Sequence, residues 1–140
     1  MRLPSFTAAE MVKLGLLPFL VFMINTLLIN LLPDNCLIRY QIDIPLHLLG
    51  GASIAYSATH AIALAEKDGL LSIRHPLIKI FIIVAAVMTA AVLWEFYEFL
   101  LDHFFGTHTQ PNNADTMKDL FMGTAGGIVF CLGFVRKDKN

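Results

Sequence analysis

Residues 77–105 read LIKIFIIVAAVMTAAVLWEFYEFLLDHFF, and this stretch decides the fold class. Pro76 precedes it and Gly106 follows it, which are residues that favour the beginning and the end of a helix. Lys79 is its only charged residue before Glu95. Because a helix of about 17–25 mainly apolar residues crosses a bilayer, the stretch predicts a transmembrane helix.

Three further apolar blocks occur in the chain, which is 56% hydrophobic and 15% charged. Soluble domains have about 25% charged residues. Backbone polar groups inside a membrane need internal hydrogen bonds, and helices provide them. The sequence therefore predicts an all-α polytopic membrane protein, a single four-helix domain over residues 1–140 that forms a compact bundle. The expected helices are at about 14–32, 42–65, 77–105 and 115–135.

Basic residues indicate the orientation of these helices. All but two of the ten lie before helix 1, between helices 2 and 3, or after helix 4. The exceptions are Arg39 and Lys118. Since cytoplasmic segments are enriched in Lys and Arg, we expect both termini in the cytoplasm and loops 33–41 and 106–114 outside. The chain has no basic stripe of the kind that binds nucleic acid.

Most of the acidic residues gather toward the other, outward end of the helices. An intramembrane carboxylate costs on the order of 2.5–3.5 kcal/mol on insertion scales. Several carboxylates close together would also repel one another, so some must be protonated or a cation must be present. The acidic residues at this end are Asp34, Asp43, Glu95, Glu98, Asp102, Asp115 and Asp119.

Helical spacing places these acids on common faces. Asp43 lies four residues before His47, and Asp115 lies four residues before Asp119. Glu95, Glu98 and Asp102 form a third stripe. The stripes of helices 2 and 4 continue into small residues, including Gly123-x-x-x-Gly127, which favour close helix packing. The acids should therefore face the bundle interior.

Carboxylates and an imidazole are suitable ligands for Zn²⁺, Mn²⁺, Fe²⁺ or Mg²⁺. We expect a divalent metal ion at His47, Glu95, Asp115 and Asp119. Asp43 should orient His47, and Asp102 should lie behind the ligands in the same supporting shell. Glu98 is the candidate catalytic residue, a general base for a water that the ion activates.

Simpler interpretations exist for individual residues. Asp115 or Asn113 would serve as a helix N-cap. Asp119 would pair with Lys118 of a neighbouring chain or interact with the helix dipole. His47 and Asn25 would be interhelical hydrogen bonders. The aromatic residues Tyr40, Trp94 and Tyr97 would belong to the interfacial belt.

Three motifs resemble a known group of proteins. Asp43-Ile-Pro-Leu-His47-x-x-Gly-Gly, Trp94-Glu95-x-x-Glu98 and Asp115-Thr-x-Lys-Asp119-x-x-x-Gly123-x-x-Gly126 resemble the bacterial YjdF-like membrane proteins. They are more distantly similar to the VanZ-like family, named for a glycopeptide-resistance protein. The VanZ-like pattern maps onto Asp43, His47, Glu95, Asp119 and Gly126. This chain has Glu98 where that family has Gln and Gly123 where it has Asn, and it lacks that family's Arg between the last two motifs, which favours the YjdF-like branch. The resemblance implies a multi-pass protein of the bacterial cytoplasmic (inner) membrane.

Three functions fit these observations. The first is metal-dependent hydrolysis or group transfer on an envelope lipid or lipid-linked substrate, at a site that faces the extracytoplasmic side. The second is a non-enzymatic ion or proton pathway, because intramembrane acids also mark such pathways. The third is a structural membrane subunit that uses its small-residue seams for assembly. The lipid bilayer is the expected partner in each case, and a homo-oligomer is an open alternative.

Overall fold

The computed structural model describes residues 7–32 and 37–137. This part of the chain forms four α-helices and contains no strand. The all-α prediction is therefore confirmed, with a helix for each predicted apolar block. The helices are α1 (Ala8–Leu31), α2 (Leu37–Lys67), α3 (Pro76–Phe105) and α4 (Asn113–Lys137).

Two helices, α1 and α2, begin at least five residues earlier than expected. At α1, the Glu10 backbone amide donates to Thr7 Oγ1 (3.2 Å) while the Thr7 amide donates to Glu10 Oε2 (2.9 Å). This capping box pairs two backbone donors that a helix start otherwise leaves unpaired, so the helix extends to Ala8. Residues 37–41, which were expected in the loop 33–41, continue α2, and residues 33–36 lie outside the described residues. The polar residues in this segment led to a predicted start of α2 that is five residues too late.

The distribution of polar and apolar side chains is inverted relative to a soluble protein. Phe81, Phe105 and Phe121 are at least 70% exposed, while Glu98 and Asp119 are at most 4% exposed. In soluble proteins charged residues are almost never fully buried unless they are paired, and large apolar patches rarely face water. The apolar outer surface suits a bilayer. Within the described residues, three segments are long and apolar enough to cross one: Ala8–Leu28, Gln41–Lys67 and Pro76–Phe105. α4, which the sequence predicts as a fourth transmembrane helix, is not among these segments.

α4 crosses α2 at very close range because glycines lie at the crossing. A Cβ atom added at Gly51 would overlap the Gly123 carbonyl, and one added at Gly126 would overlap the Leu48 carbonyl. A Cβ atom at Gly127 would lie 2.8 Å from Val87 Cγ2 on α3. The predicted seams are therefore packing surfaces within the chain. They place α4 against both α2 and α3.

α1 has a more peripheral position. It packs along α2, and its described backbone does not approach α3 or α4 closely. Ser57 Oγ on α2 donates to the Leu14 carbonyl of α1 (2.6 Å). Ion pairs Lys67–Glu10 (3.5 Å) and Lys79–Glu66 (2.8 Å) join neighbouring helices at the end that is rich in basic residues.

Candidate metal centre

Carboxylates from three helices converge on His47 of α2. One group consists of His47 with Asp43 and Asp119, and a second consists of His47 with Glu95 and Glu98. In each group, one ligand atom from every residue lies within 4.8 Å of the others. His47 belongs to both groups, so the two are halves of one cluster, which we call the His47 cluster.

The α2 part of the cluster follows from helical spacing. Asp43 Oδ1 lies 3.3 Å from His47 Nε2, one helical turn away. The contact agrees with the spacing of four residues; that Asp43 orients the imidazole for a metal ion stays a prediction. The His47 side chain is 9% exposed. Its ring also meets the Trp94 ring edge-on, with centroids 6.3 Å apart.

The α3 carboxylates are held by donors that the sequence analysis did not identify. Gln110 Nε2 donates both to Glu95 Oε2 (2.7 Å) and to the Glu95 carbonyl (3.0 Å). The Trp94 indole N–H donates to Glu98 Oε1 (2.9 Å). Trp94 is half-buried, and its indole N–H contacts the cluster. The sequence had predicted only a place in the interfacial aromatic belt for it.

Two buried carboxylate oxygens lack hydrogen bonds in the described part of the chain. They are Glu95 Oε1 and Asp119 Oδ1, and their residues are only 5% and 2% exposed. Buried polar atoms are nearly always hydrogen-bonded or bound to an ion or water. Both residues belong to the His47 cluster. The cluster therefore presents two buried oxygens without hydrogen bonds, of which Asp119 Oδ1 lies 3.6 Å from the Lys118 ammonium.

Lys118 supplies positive charge to the α2–α4 side of the cluster. Its ammonium contacts Asp115 directly and lies 3.6 Å from Asp119 Oδ1 and 3.9 Å from Asp43 Oδ2. Asp119 therefore lies near Lys118 of its own chain, whereas the sequence left open a pairing with Lys118 of a neighbouring chain. The sequence did indicate the contact with Asp115, because residues three apart lie on the same face of a helix. Glu95 and Glu98 have no such ion pair within the described residues.

Asp102 organises the loop that follows α3. Its carboxylate accepts hydrogen bonds from Thr107 Oγ1 (2.6 Å), from the Thr109 amide (2.7 Å) and from the Gln110 amide (2.8 Å). Gly106 allows the turn into this loop because its φ of 66° is in the left-handed region. Asp102 is not a member of the cluster, but it positions the loop that carries Gln110 to Glu95.

Asp115, which the sequence places among the ligands, lies outside both groups. Its carboxylate binds Lys118. It is not the N-cap of α4 either, because the Asn112 side-chain oxygen accepts from the Asp115 amide (3.1 Å). Asp115 still borders the site, since it lines a small cavity of about 30 Å³ together with Asp43 and Glu98. That volume exceeds the ~10–15 Å³ that one water needs.

A second, larger cavity of about 350 Å³ begins at the cluster. It lies between α1, α2 and α3 and is lined mainly by apolar side chains such as Phe22 and Ile54. His47 and Trp94 are at its polar end. Asn25 lines both cavities and is 6% exposed, so it lies at their junction.

The fold and the site define a helical membrane protein with a buried His–carboxylate cluster. The chain belongs to the family described as "Predicted membrane protein (DUF2238)", which matches residues 15–140. Comparison with curated proteins gives no match, and comparison with solved structures gives none either. The family supports the membrane assignment; the YjdF-like and VanZ-like resemblance stays a prediction.

Proposed function

We propose that the His47 cluster binds a divalent metal ion and hydrolyses, or transfers a group from, an envelope lipid or lipid-linked substrate. The observation that carries this proposal is the pair of unbonded oxygens, Glu95 Oε1 and Asp119 Oδ1, in two groups that share His47. A divalent ion held by either group would satisfy the unbonded oxygen of that group and offset the repulsion between its carboxylates. One imidazole with carboxylates suits Zn²⁺, Mn²⁺, Fe²⁺ or Mg²⁺.

The spacing of the ligand atoms supports an ion among them. Metal–ligand bonds to nitrogen and oxygen are about 2.0–2.2 Å, so ligands on opposite sides of an ion lie roughly 4 Å apart. Within each of the two groups that share His47, the candidate atoms lie within 4.8 Å of one another. Small side-chain rotations would therefore bring them to bonding distance.

Glu98 is the proposed general base. When bound, the ion would polarise a phosphoryl or carbonyl group of the substrate and favour ionisation of a nearby water. The water oxygen would bond to phosphorus or carbon while one water proton passes to Glu98. The bond to the ester oxygen would break, and that oxygen would take up the proton from Glu98. Hydrogen bonding from Trp94 to Glu98 Oε1 leaves Oε2 for this transfer.

Two alternatives receive less support from the packing. An ion pathway needs polar groups that continue through the membrane, but Ser53 and Thr59 on α2 donate to backbone carbonyls of their own helix. A structural subunit would use its small-residue seams for other chains. Here Gly51 and Gly126 pack α2 against α4 within the chain.

Metal analysis of the purified protein tests the proposal. Protein treated with chelator and then equilibrated with Mn²⁺ or Zn²⁺ should retain about one ion per chain after desalting. Glu95→Gln and Asp119→Asn should each lose most of it, because each removes an anionic ligand. Glu66→Gln and Asp68→Asn, matched changes at the opposite end, should retain it.

The proposal is wrong if the wild-type protein holds no stoichiometric ion, or if Glu95→Gln binds as much as Glu66→Gln. Lipid hydrolysis is then measured with wild-type protein against Glu98→Gln. Metal retention without turnover in Glu98→Gln is the expected result for a general base.

A further inference from the structure

The larger cavity runs from the His47 cluster into the middle of the bundle. Its α2 lining extends from Leu46 to Ile54, a distance of roughly 12 Å along the helix. The polar lining groups His47 and Trp94 are at one end, and Val87 and Ile54 lie about two turns deeper. The cavity thus has a polar mouth at the site and a mainly apolar interior.

The cavity also reaches the lipid-facing surface. Phe19 of α1 lines it and is nevertheless 58% exposed, so the wall opens outward at this residue. α1 does not pack along α3. The described ring contacts that bridge these helices are those of Phe22 with Trp94 and Tyr97, at centroid distances of 5.7 and 6.0 Å. A molecule in the bilayer can therefore approach the cavity from the side.

Asn25 lies where the cavity meets the small chamber beside Asp43 and Glu98. Only 6% of the surface of Asn25 is exposed. Its side-chain amide makes no hydrogen bond to another described residue. The fully buried side-chain oxygens and nitrogens without a hydrogen bond are Glu95 Oε1 and Asp119 Oδ1 in the described residues, so the Asn25 amide keeps access to the cavities that it lines. The junction of the two cavities therefore offers a donor to a polar group of a ligand.

We propose that the larger cavity binds a single hydrocarbon chain of a membrane lipid, with the oxygen of the chain's ester linkage held by Asn25 beside His47. The cavity volume is at the lower end of the ~300–1,000 Å³ range of ligand cavities, which suits one chain rather than two. Entry from the bilayer core favours a lipid over a water-soluble molecule. This inference rests on the proposed function, because it names the substrate class of the same site.

Photo-crosslinking in nanodiscs tests this assignment. The probe is phosphatidylglycerol with a diazirine in one acyl chain, and adducts are mapped by mass spectrometry of peptides. We expect adducts on Phe22, Ile54 and Val87 at several times the yield on Phe81 and Phe121, which face lipid. Equal yields on interior and outward residues would overturn the proposal.

A pair of matched variants on α3 tests the cavity itself. Ala90 lines the cavity, whereas Ala85 is exposed on the outer surface of the same helix. Ala90→Phe should lower the interior adducts at least fivefold, and Ala85→Phe should leave them unchanged. If Ala90→Phe does not assemble, as judged by gel filtration and helical circular dichroism, Asn25→Leu provides the second test. It keeps the branched shape and the number of side-chain heavy atoms, removes the amide and should also lower the interior yield severalfold.

The two proposals fail in different ways. Glu95→Gln should lose the metal ion and keep the interior adducts, because Glu95 does not line the larger cavity. Interior adducts in a protein without stoichiometric metal would refute the proposed chemistry alone. Stoichiometric metal with unchanged interior adducts in Ala90→Phe and Asn25→Leu would refute the lipid-chain site alone.

Discussion

Replacing Gly126 by alanine should force α2 and α4 apart. A Cβ atom built on Gly126 lies 2.8 Å from the carbonyl carbon of Leu48, whereas non-bonded carbons prefer about 3.5–4.0 Å. Since the Leu48 carbonyl oxygen lies closer still, the helices would have to separate by more than about 1 Å. The obstacle is backbone, so no side chain can rotate away. Overpacking of this kind costs about 1–3 kcal/mol.

Gly133→Ala is the matched control on the same helix. A Cβ atom there has no neighbour within 4 Å, so the substitution should only add the helix preference of alanine, about 0.5–1 kcal/mol. Gly126→Ala gains the same helix preference, so the free energies of unfolding of the two variants should differ by the overpacking cost alone, about 1–3 kcal/mol.

Unfolding in detergent micelles, followed by helical circular dichroism, measures this difference. Because Leu48 is adjacent to His47, Gly126→Ala should also weaken Mn²⁺ binding at the cluster, whereas Gly133→Ala should not. Equal stability of the two variants would show that the glycine crossing is not needed for packing.

Three further predictions concern the position of the metal ion, the role of Lys118 and the orientation of the helices in the membrane. Trp94 is the only tryptophan of the chain and donates to Glu98, so Mn²⁺ should quench its fluorescence in wild-type protein and in His75→Ala but not in His47→Ala. The same quenching in all three proteins would place the ion elsewhere. Lys118→Met removes the ammonium near three carboxylates and should lower the stability of metal-free protein by about 1–3 kcal/mol. Mn²⁺ should then raise the thermal midpoint more than it does in wild-type protein, and an equal rise would contradict this account. In a cysteine-free background, Asn113→Cys should react with an impermeant maleimide from outside the cell, while Ser72→Cys should react only after permeabilisation; the reverse pattern would invert the proposed orientation.

Local spacing was sufficient to predict the parts of the site that lie on one helix. Asp43 and His47 contact each other because residues four apart share a face in any α-helix. The glycine seam of α4 likewise indicated which face packs inward, and Gly126 lies at the α2 crossing. Helix ends were less predictable. α1 begins before its apolar residues do, because Thr7 and Glu10 form a capping box there.

Contacts between distant segments could not be derived in this way. Gln110 reaches Glu95 only because Asp102 folds the intervening loop, and no periodic pattern encodes a loop conformation. Asn25 was interpreted as an interhelical hydrogen bonder. Its place between two cavities could not be predicted, because it depends on how α1 packs against α2. Lys118 had a detectable signal in its spacing from Asp115, but its approach to Asp43 requires the crossing of α2 and α4.

Under the proposed function, the peripheral position of α1 would separate the chemistry of the bundle from its selectivity for a lipid. α2, α3 and α4 carry every member of the His47 cluster, whereas α1 contributes Phe19, Phe22 and Asn25 to the cavity wall. Mutations on this face of α1 can reshape the chain-binding wall without moving a ligand atom. Relatives with identical clusters and different first helices would then process different lipids, and exchanging α1 between them would exchange their preferences.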